Sequence, residues 1–183
     1  SIDLGFDQDG LLAARVSLPP AEYTNRAKRI AYWDRAYQRL GAIPGVEVVG
    51  SAEGIPFSGW NVQSGMSIQG RPPVDPSDEL DVHYQNVSPG YFTALGAEIV
   101  DGRGITETDR DSVNLVGVIN ETLAKKEFAG ASPIGQRMKW GGQDSEWPWI
   151  TIVGVVRDIR HWSLPEPVHP AIYLPQLARP TGT

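Results

Sequence analysis

Short apolar runs alternate with polar and glycine–proline punctuation, and the spacing of the apolar positions changes along the chain. "LLAARVSLPP" (11–20) is apolar and β-branched and is stopped by two prolines, which predicts a strand. In "YTNRAKRIAYWDRAYQRLG", Ile30, Trp33, Tyr37 and Leu40 recur at i, i+3, i+7 and i+10 and share one helical face. Thr24 is placed to cap the start of that helix, and Gly41 and Pro44 end it. At 1.5 Å per residue it is about 25 Å long, which suits packing across a sheet. "VEVVGSAEGIP" (46–56) predicts the next strand, so the first part of the chain reads as a β-α-β or split β-α-β unit.

The last third repeats that grammar. "VNLVGVIN" (113–120) predicts a strand, and "NETLAKKEFAG" a short helix capped by Asn120, with Leu123, Ala124 and Phe128 on its apolar side. The near-continuous apolar run in "WITIVGVVRDI" (149–159) predicts a strand covered on both faces. "AIYLP" (171–175) predicts a short last strand, after a stretch too rich in proline for helix or sheet.

The middle, 57–111, differs in character. "GMSIQGRP" and "LDVHYQNVS" alternate polar and apolar, as half-exposed strands do, with a surface loop between them. "SPGYFTALG" fits a short helix with Ser88 at the cap, Pro89 at the first helical position, Gly96 just past the end, and Tyr91, Phe92 and Leu95 pinning it to the sheet. "AEIVDGRGI" reads as a strand and a turn, with Gly102 and Gly104 allowing tight geometry near Arg103.

With 183 residues, one domain or two small ones are allowed, and a core can form without disulfide or metal staples. The formal net charge of −6 argues against a nucleic-acid partner; the densest basic stretch is "NRAKR" on the first helix. The absence of cysteine excludes thiol catalysis and thiolate zinc sites. The longest aliphatic stretches are far shorter than the roughly 20 residues that span a bilayer, and no signal peptide is visible. The chain reads as a soluble piece of a larger protein.

Candidate chemistry is thin. His161 and His169 lie eight residues apart in a proline-rich loop, His83 falls in an alternating strand, and no HExxH pair exists. The acidic groups Asp75, Asp78, Glu79 and Asp81, and Glu107, Asp109 and Asp111, lack the ligand order of a calcium loop and read as solvated faces. "GASPIGQ" lacks the Lys-Ser/Thr of a phosphate cradle, and no serine has the nucleophile-elbow pattern. The sequon at Asn120 is better explained by helix capping. The tryptophans, Trp33, Trp60, Trp140, Trp147, Trp149 and Trp162, read mostly as core, with a carbohydrate platform or a partner surface as the alternative. No catalytic, cofactor-binding or metal-binding residue is assigned.

Five stretches, "LGFDQDGLLAARVSLPPAEY", "LGAIPGVEVVGSAEGIPFSG", "NVSPGYFTALGAEIVDGRGITETD", "VGVINETLAKKEFAGASPIGQRM" and "ITIVGVVRDIRHWSLPEPVHPAIYLP", occur in this order. Together they resemble the MacB-like periplasmic core domain of bacterial ABC-transporter permeases of the FtsX-like type, over nearly the whole chain. The resemblance implies an α+β fold with a porter-like subdomain of two β-α-β units (1–56 plus 112–183) and an inserted Sabre-like subdomain (57–111). It implies a non-catalytic domain on the periplasmic face of the cytoplasmic membrane that relays ATP-driven conformational change, a mechanism called mechanotransmission. The implied partners are a cytoplasmic ATPase domain, a second permease copy and a periplasmic adaptor.

Two other readings stay open. A ligand- or lipid-binding module needs a deep apolar cleft between lobes with convergent polar groups. A hydrolase needs buried carboxylates or histidines brought together by folding. The relay expects no such cleft, and chain ends close together.

Overall fold

The computed structural model describes residues 4–72, 74–75, 78–161 and 166–179; Ser1, Trp162 and Thr183 lie outside them. The elements are α1 (Arg26–Gly41), β1 (Gln63–Ile68), β2 (Leu80–Val87), α2 (Tyr91–Ala94), β3 (Ile99–Gly102), β4 (Leu115–Asn120), α3 (Glu121–Glu127), β5 (Arg137–Trp140), β6 (Ile150–Val156) and β7 (Ala171–Pro175).

All seven strands join one sheet, in the order β3-β6-β4-β7-β2-β1-β5, and β5 pairs again with β6. Six strands therefore close into a ring. β3 and β5 share one edge of β6: β5 opposite Ile150 and Thr151, β3 opposite 154–156. Closure leaves few backbone donors and acceptors without a neighbour. Two parallel pairs, β4 with β6 and β2 with β7, are joined by an antiparallel contact between β4 and β7.

Period-two alternation sends neighbouring side chains to opposite faces of the sheet. Leu115 and Ile119 of β4, Ile150 and Ile152 of β6, and Ile172 and Leu174 of β7 join Leu123 and Phe128 of the α3 region in one core. Val118, Val156 and Tyr173 join Tyr91, Phe92 and Leu95 of the α2 region in a second core. Cover on both faces is why β6 and β7 read as continuous apolar runs. Asn120 is fully buried and caps α3 as expected, its Oδ1 accepting from Leu123 N at 3.0 Å.

Several expectations are corrected. Residues 11–17 form no strand and are exposed, although Leu18 is buried; Pro19 and Pro20 have no N–H to give to a ladder. The 46–56 stretch contributes only an isolated bridge, Ala52 to Val87, so the first β-α-β unit does not form. Asn25, not Thr24, caps α1, accepting from Lys28 N at 3.0 Å. The helix does not cross the sheet: Trp33 packs with Leu18 and Leu177, beside the segment that follows β7, and Leu40 is 45% exposed. Strand β2 is mostly buried rather than half-exposed, because β1 and β7 flank it. Ser88 does not cap α2; its hydroxyl accepts from Ser51 N at 2.8 Å, and the cap position is Gly90. Tyr91, Phe92 and Leu95 do pin α2 to the sheet. Strand β5 carries no pattern the sequence announces.

Strands of the 57–111 segment and of the last third share one sheet. Strands β1 and β2, from the middle segment, pair with β5 and β7 from the last third. The described chain ends are not adjacent. Arg160 N, beyond the C-terminal end of β6, donates to Leu4 O at 3.0 Å. Residues 176–179 leave the C-terminal end of β7, which runs antiparallel to β4 and therefore opposite to β6. The ends thus lie at opposite ends of the strand array.

Candidate functional site

The fold brings together residues that are far apart in sequence at two places. The first holds all three histidines. His83 lies on β2 opposite Ala171, and its N donates to Pro170 O at 2.9 Å. The rings of His83 and His169 lie 4.9 Å apart. His161 Nε2 lies 3.1 Å from the Tyr173 hydroxyl. Asn120 fixes this corner: its Oδ1 also accepts from Ala171 N at 3.0 Å, and its Nδ2 donates to His169 O at 2.9 Å. Burial pushes His161 down to about 4, with the nearby His83 adding to the effect. His83 is lowered by burial and then by His169, against an opposing pull from Asp81. Neutral imidazoles result at neutral pH.

Trp60, His83, Gln85, His161 and Tyr173 line an open depression with an empty volume of about 280 Å³, including solvent at its mouth. Among the described residues no group of three His, Cys, Asp or Glu side chains is arranged to hold a metal ion.

Of the acidic residues at 107–111, Glu107 and Asp111 are exposed as expected, whereas the Asp109 carboxylate is largely covered. Asp109 takes a bidentate pair of hydrogen bonds from Arg103 (2.7 and 3.0 Å) and one each from Thr106 N and Oγ1. Burial raises its pKa, and these bonds more than offset that, leaving it below the ordinary carboxylate value. Asp111 accepts from Val113 N, Asn114 N and Asn114 Nδ2, which closes a turn. Both serve loop geometry.

The second place is the strap that follows β7, residues 176–179. Gln176 is buried; its N donates to Val87 O at 2.9 Å, and its Oε1 accepts from Ser51 Oγ at 2.9 Å and from the Tyr37 hydroxyl of α1. Burial raises Tyr37 to about 12, partly offset by its hydrogen bonds to Ser51 and Ser88, so the phenol stays protonated. Arg26 of α1 donates to Leu177 O at 3.0 Å and Ala178 O at 3.4 Å. The Arg179 guanidinium lies 4.4 Å from the Trp140 ring and 5.4 Å from Trp147, and those two rings meet edge-on at 5.4 Å. The strap is thereby tied to α1, to the residue 51 turn and to β5.

Of the tryptophans, Trp33 and Trp140 are buried, Trp60 lines the depression, and Trp149 lies 4.6 Å from the Lys139 ammonium. Trp147 is 52% exposed. The strap is invisible in sequence order, because Arg26, Tyr37, Trp140 and Arg179 come from separate stretches; the tryptophan and arginine content was the only signal. No helix among the described residues is long and apolar enough to cross a membrane.

Comparison with known proteins agrees with the resemblance. The MacB-like periplasmic core domain family matches residues 8–181. YknZ of Bacillus subtilis (strain 168), an uncharacterized ABC transporter permease, is 30% identical over 82 residues, covering 45% of this chain and 19% of that protein. The periplasmic region of MacB from Actinobacillus actinomycetemcomitans superposes with a TM-score of 0.53 at 18% identity, over 79% of this chain and 55% of that one. The extracellular domain of the ABC-type transporter YknZ from Gram-positive bacteria gives 0.49 at 20% identity, over 91% and 75%. This chain spans about a fifth of the curated permease and about half of the MacB region. The family match across 8–181 covers every described element, and so the chain belongs to the MacB-like periplasmic core domain family.

Proposed function

We propose that this domain is a non-catalytic relay that passes ATP-driven motion of a transporter outward as a stiff body, with its described ends at opposite ends of the strand array rather than close together as the sequence reading expects of a relay. The strap at 176–179 carries this reading. Four consecutive residues are held by backbone, side-chain and cation–π contacts to α1, the residue 51 turn and β5. Motion imposed on the strap is thus shared with a closed ring of strands rather than lost in a loose end. Close-packed cores on both faces transmit strain with little compliance. The partners are a cytoplasmic ATPase domain, a second permease copy and a periplasmic adaptor. A ligand-binding module needs a deep apolar cleft, whereas the depression at the histidines is partly open and has little room inside it.

The test is spin-label distance measurement in the full-length permease with its ATPase. A label pair within the domain, at Gln38 and Lys126, should keep its distance with and without ATP. The distance from Lys126 to the same site on a second copy should change. A domain that closes on itself, or copies that do not move on ATP addition, would overturn the relay.

A further inference from the structure

A buried donor or acceptor costs stability until it is paired, so one without a partner marks a place where a hydrogen bond belongs. Two such atoms sit on one feature. Trp60 Nε1 and Gln85 Oε1 are buried with no hydrogen-bond partner among the described residues, and both residues line the depression at the histidines. Gln85, on β2, is only 5% exposed; its Nε2 donates to the Tyr91 hydroxyl at 3.4 Å, which leaves Oε1 as a bare acceptor.

The loop that carries Trp60 is held in an unusual shape. Trp60 is seated against bare backbone: a Cβ at Gly54 would fall 2.1 Å from the Trp60 Cβ. Between them, Phe57 is the one non-glycine residue with a positive φ (62°) among the described residues, and its N donates to His161 O at 2.9 Å. Such a conformation persists only where the surroundings impose it, and these positions cluster at ligand clamps and switch segments.

The lining is polar without being charged. His83 and His161 are neutral at neutral pH, and burial keeps the Tyr173 phenol protonated. An ion would lose its hydration there and meet no opposite charge. A bare donor and a bare acceptor beside aromatic rings suit a flat, uncharged group that both accepts and donates. A secondary amide does so: its C=O takes the Trp60 N–H, and its N–H goes to Gln85 Oε1.

We propose that residues 54–60 are a lid over a site for a secondary amide, which Trp60 and Gln85 read through one hydrogen bond each. The depression has little room while the lid is down, so the lid lifts to admit one group of a larger molecule rather than a whole ligand. The site stands whether or not the relay does.

The test is titration of the 183-residue chain with N-methylacetamide, followed by the indole N–H signals in nitrogen–proton correlation NMR. The Trp60 signal, identified by its loss in Trp60→Phe, should move saturably. Trp33 is the internal control, because its Nε1 is also buried without a partner but Trp33 does not line the depression. Methyl acetate, which has the same shape and no N–H, should bind about tenfold more weakly. Gln85→Met should erase that preference. Trp60→Phe keeps a ring but not the donor and should weaken amide binding by a similar factor, read at the backbone signals of 83–85. Each variant removes one bond, so either suffices if the other fails to fold. N-acetylglucosamine and N-acetylalanine methylamide carry the amide on a sugar and on a peptide, and the tighter binder identifies its source. Equal binding of amide and ester, a Trp33 response matching that of Trp60, or a Trp60 signal that never moves would overturn the proposal. The last result, with a nuclear Overhauser contact from the Trp60 N–H to a long-lived water, would assign both atoms to that water.

Discussion

The Arg179 guanidinium lies 4.4 Å from the ring centroid of Trp140 and covers a residue that is only 6% exposed. Trp140 closes β5 and is paired with Met66 of β1, so this one contact joins the end of the strap to the ring of strands. A partly desolvated cation over tryptophan contributes about 1–2 kcal/mol. Arg179→Ala should lower stability by that amount in urea titration and open Trp140 to acrylamide quenching. Arg179→Lys should restore part of the stability but less of the shielding, because ammonium lacks the flat guanidinium face. Unchanged quenching in the alanine variant would mean the stack does not hold in solution.

Asn120 should be among the costliest polar positions. Its side chain makes three hydrogen bonds, to Leu123 N, Ala171 N and His169 O, at a site with no solvent exposure. Asn120→Ala leaves those groups without their partner, and the expected loss is about 3 kcal/mol in denaturant unfolding. Because α3 and β7 share the side chain, hydrogen exchange should quicken at both Leu123 and Ala171. Faster exchange in α3 alone would show that the tie to β7 is dispensable.

Stability should fall in mild acid. His161 titrates near 6.5 when unfolded and near 4 when folded, so the unfolded chain takes up the proton first. The stabilisation is therefore complete above pH 6.5 and is lost as pH falls towards 4, at up to about 1.4 kcal/mol per pH unit. His83, lowered for the same reason, adds in the same direction. His161→Gln keeps a hydrogen-bonding group beside Tyr173 but cannot titrate. Its stability should fall less between pH 6.5 and 4 than that of the parent chain; parallel curves would contradict this assignment.

The two glycines flanking Arg103 should behave differently. Gly102 has φ 67°, and an added Cβ would sit 2.3 Å from Val153 O. Gly102→Ala should cost about 2 kcal/mol or more. Gly104 has no such φ, and the nearest atoms to an added Cβ lie at 3.8 Å. Gly104→Ala should stay within about 0.5 kcal/mol of the parent in thermal melts.

Legibility followed the range of the interactions. The α3 cap at Asn120, strand β7 at 171–175 and the doubly covered β6 were readable, because caps and alternation depend on neighbours a few residues away. The strands foreseen at 11–20 and 46–56 failed for the opposite reason. Apolar, β-branched composition shows that a segment suits a sheet, whereas a strand exists only where an edge accepts its backbone. β5 was missed because its Arg-Met-Lys-Trp stretch takes its strand character from β1 and β6 on either side.

By itself the sequence determined the family, the elements β4, α3, β6 and β7, and the absence of cysteine chemistry, since these rest on local order and composition. Tertiary structure alone decided the closed ring, the meeting of His83, His161 and His169, the anchoring of α1 on the strap rather than across the sheet, and the opposite placement of the described ends. The physical reason is that hydrogen-bond partners and ring contacts between residues such as Arg26 and Ala178 depend on how strands pair in space. Nothing in the residues between them encodes that pairing locally.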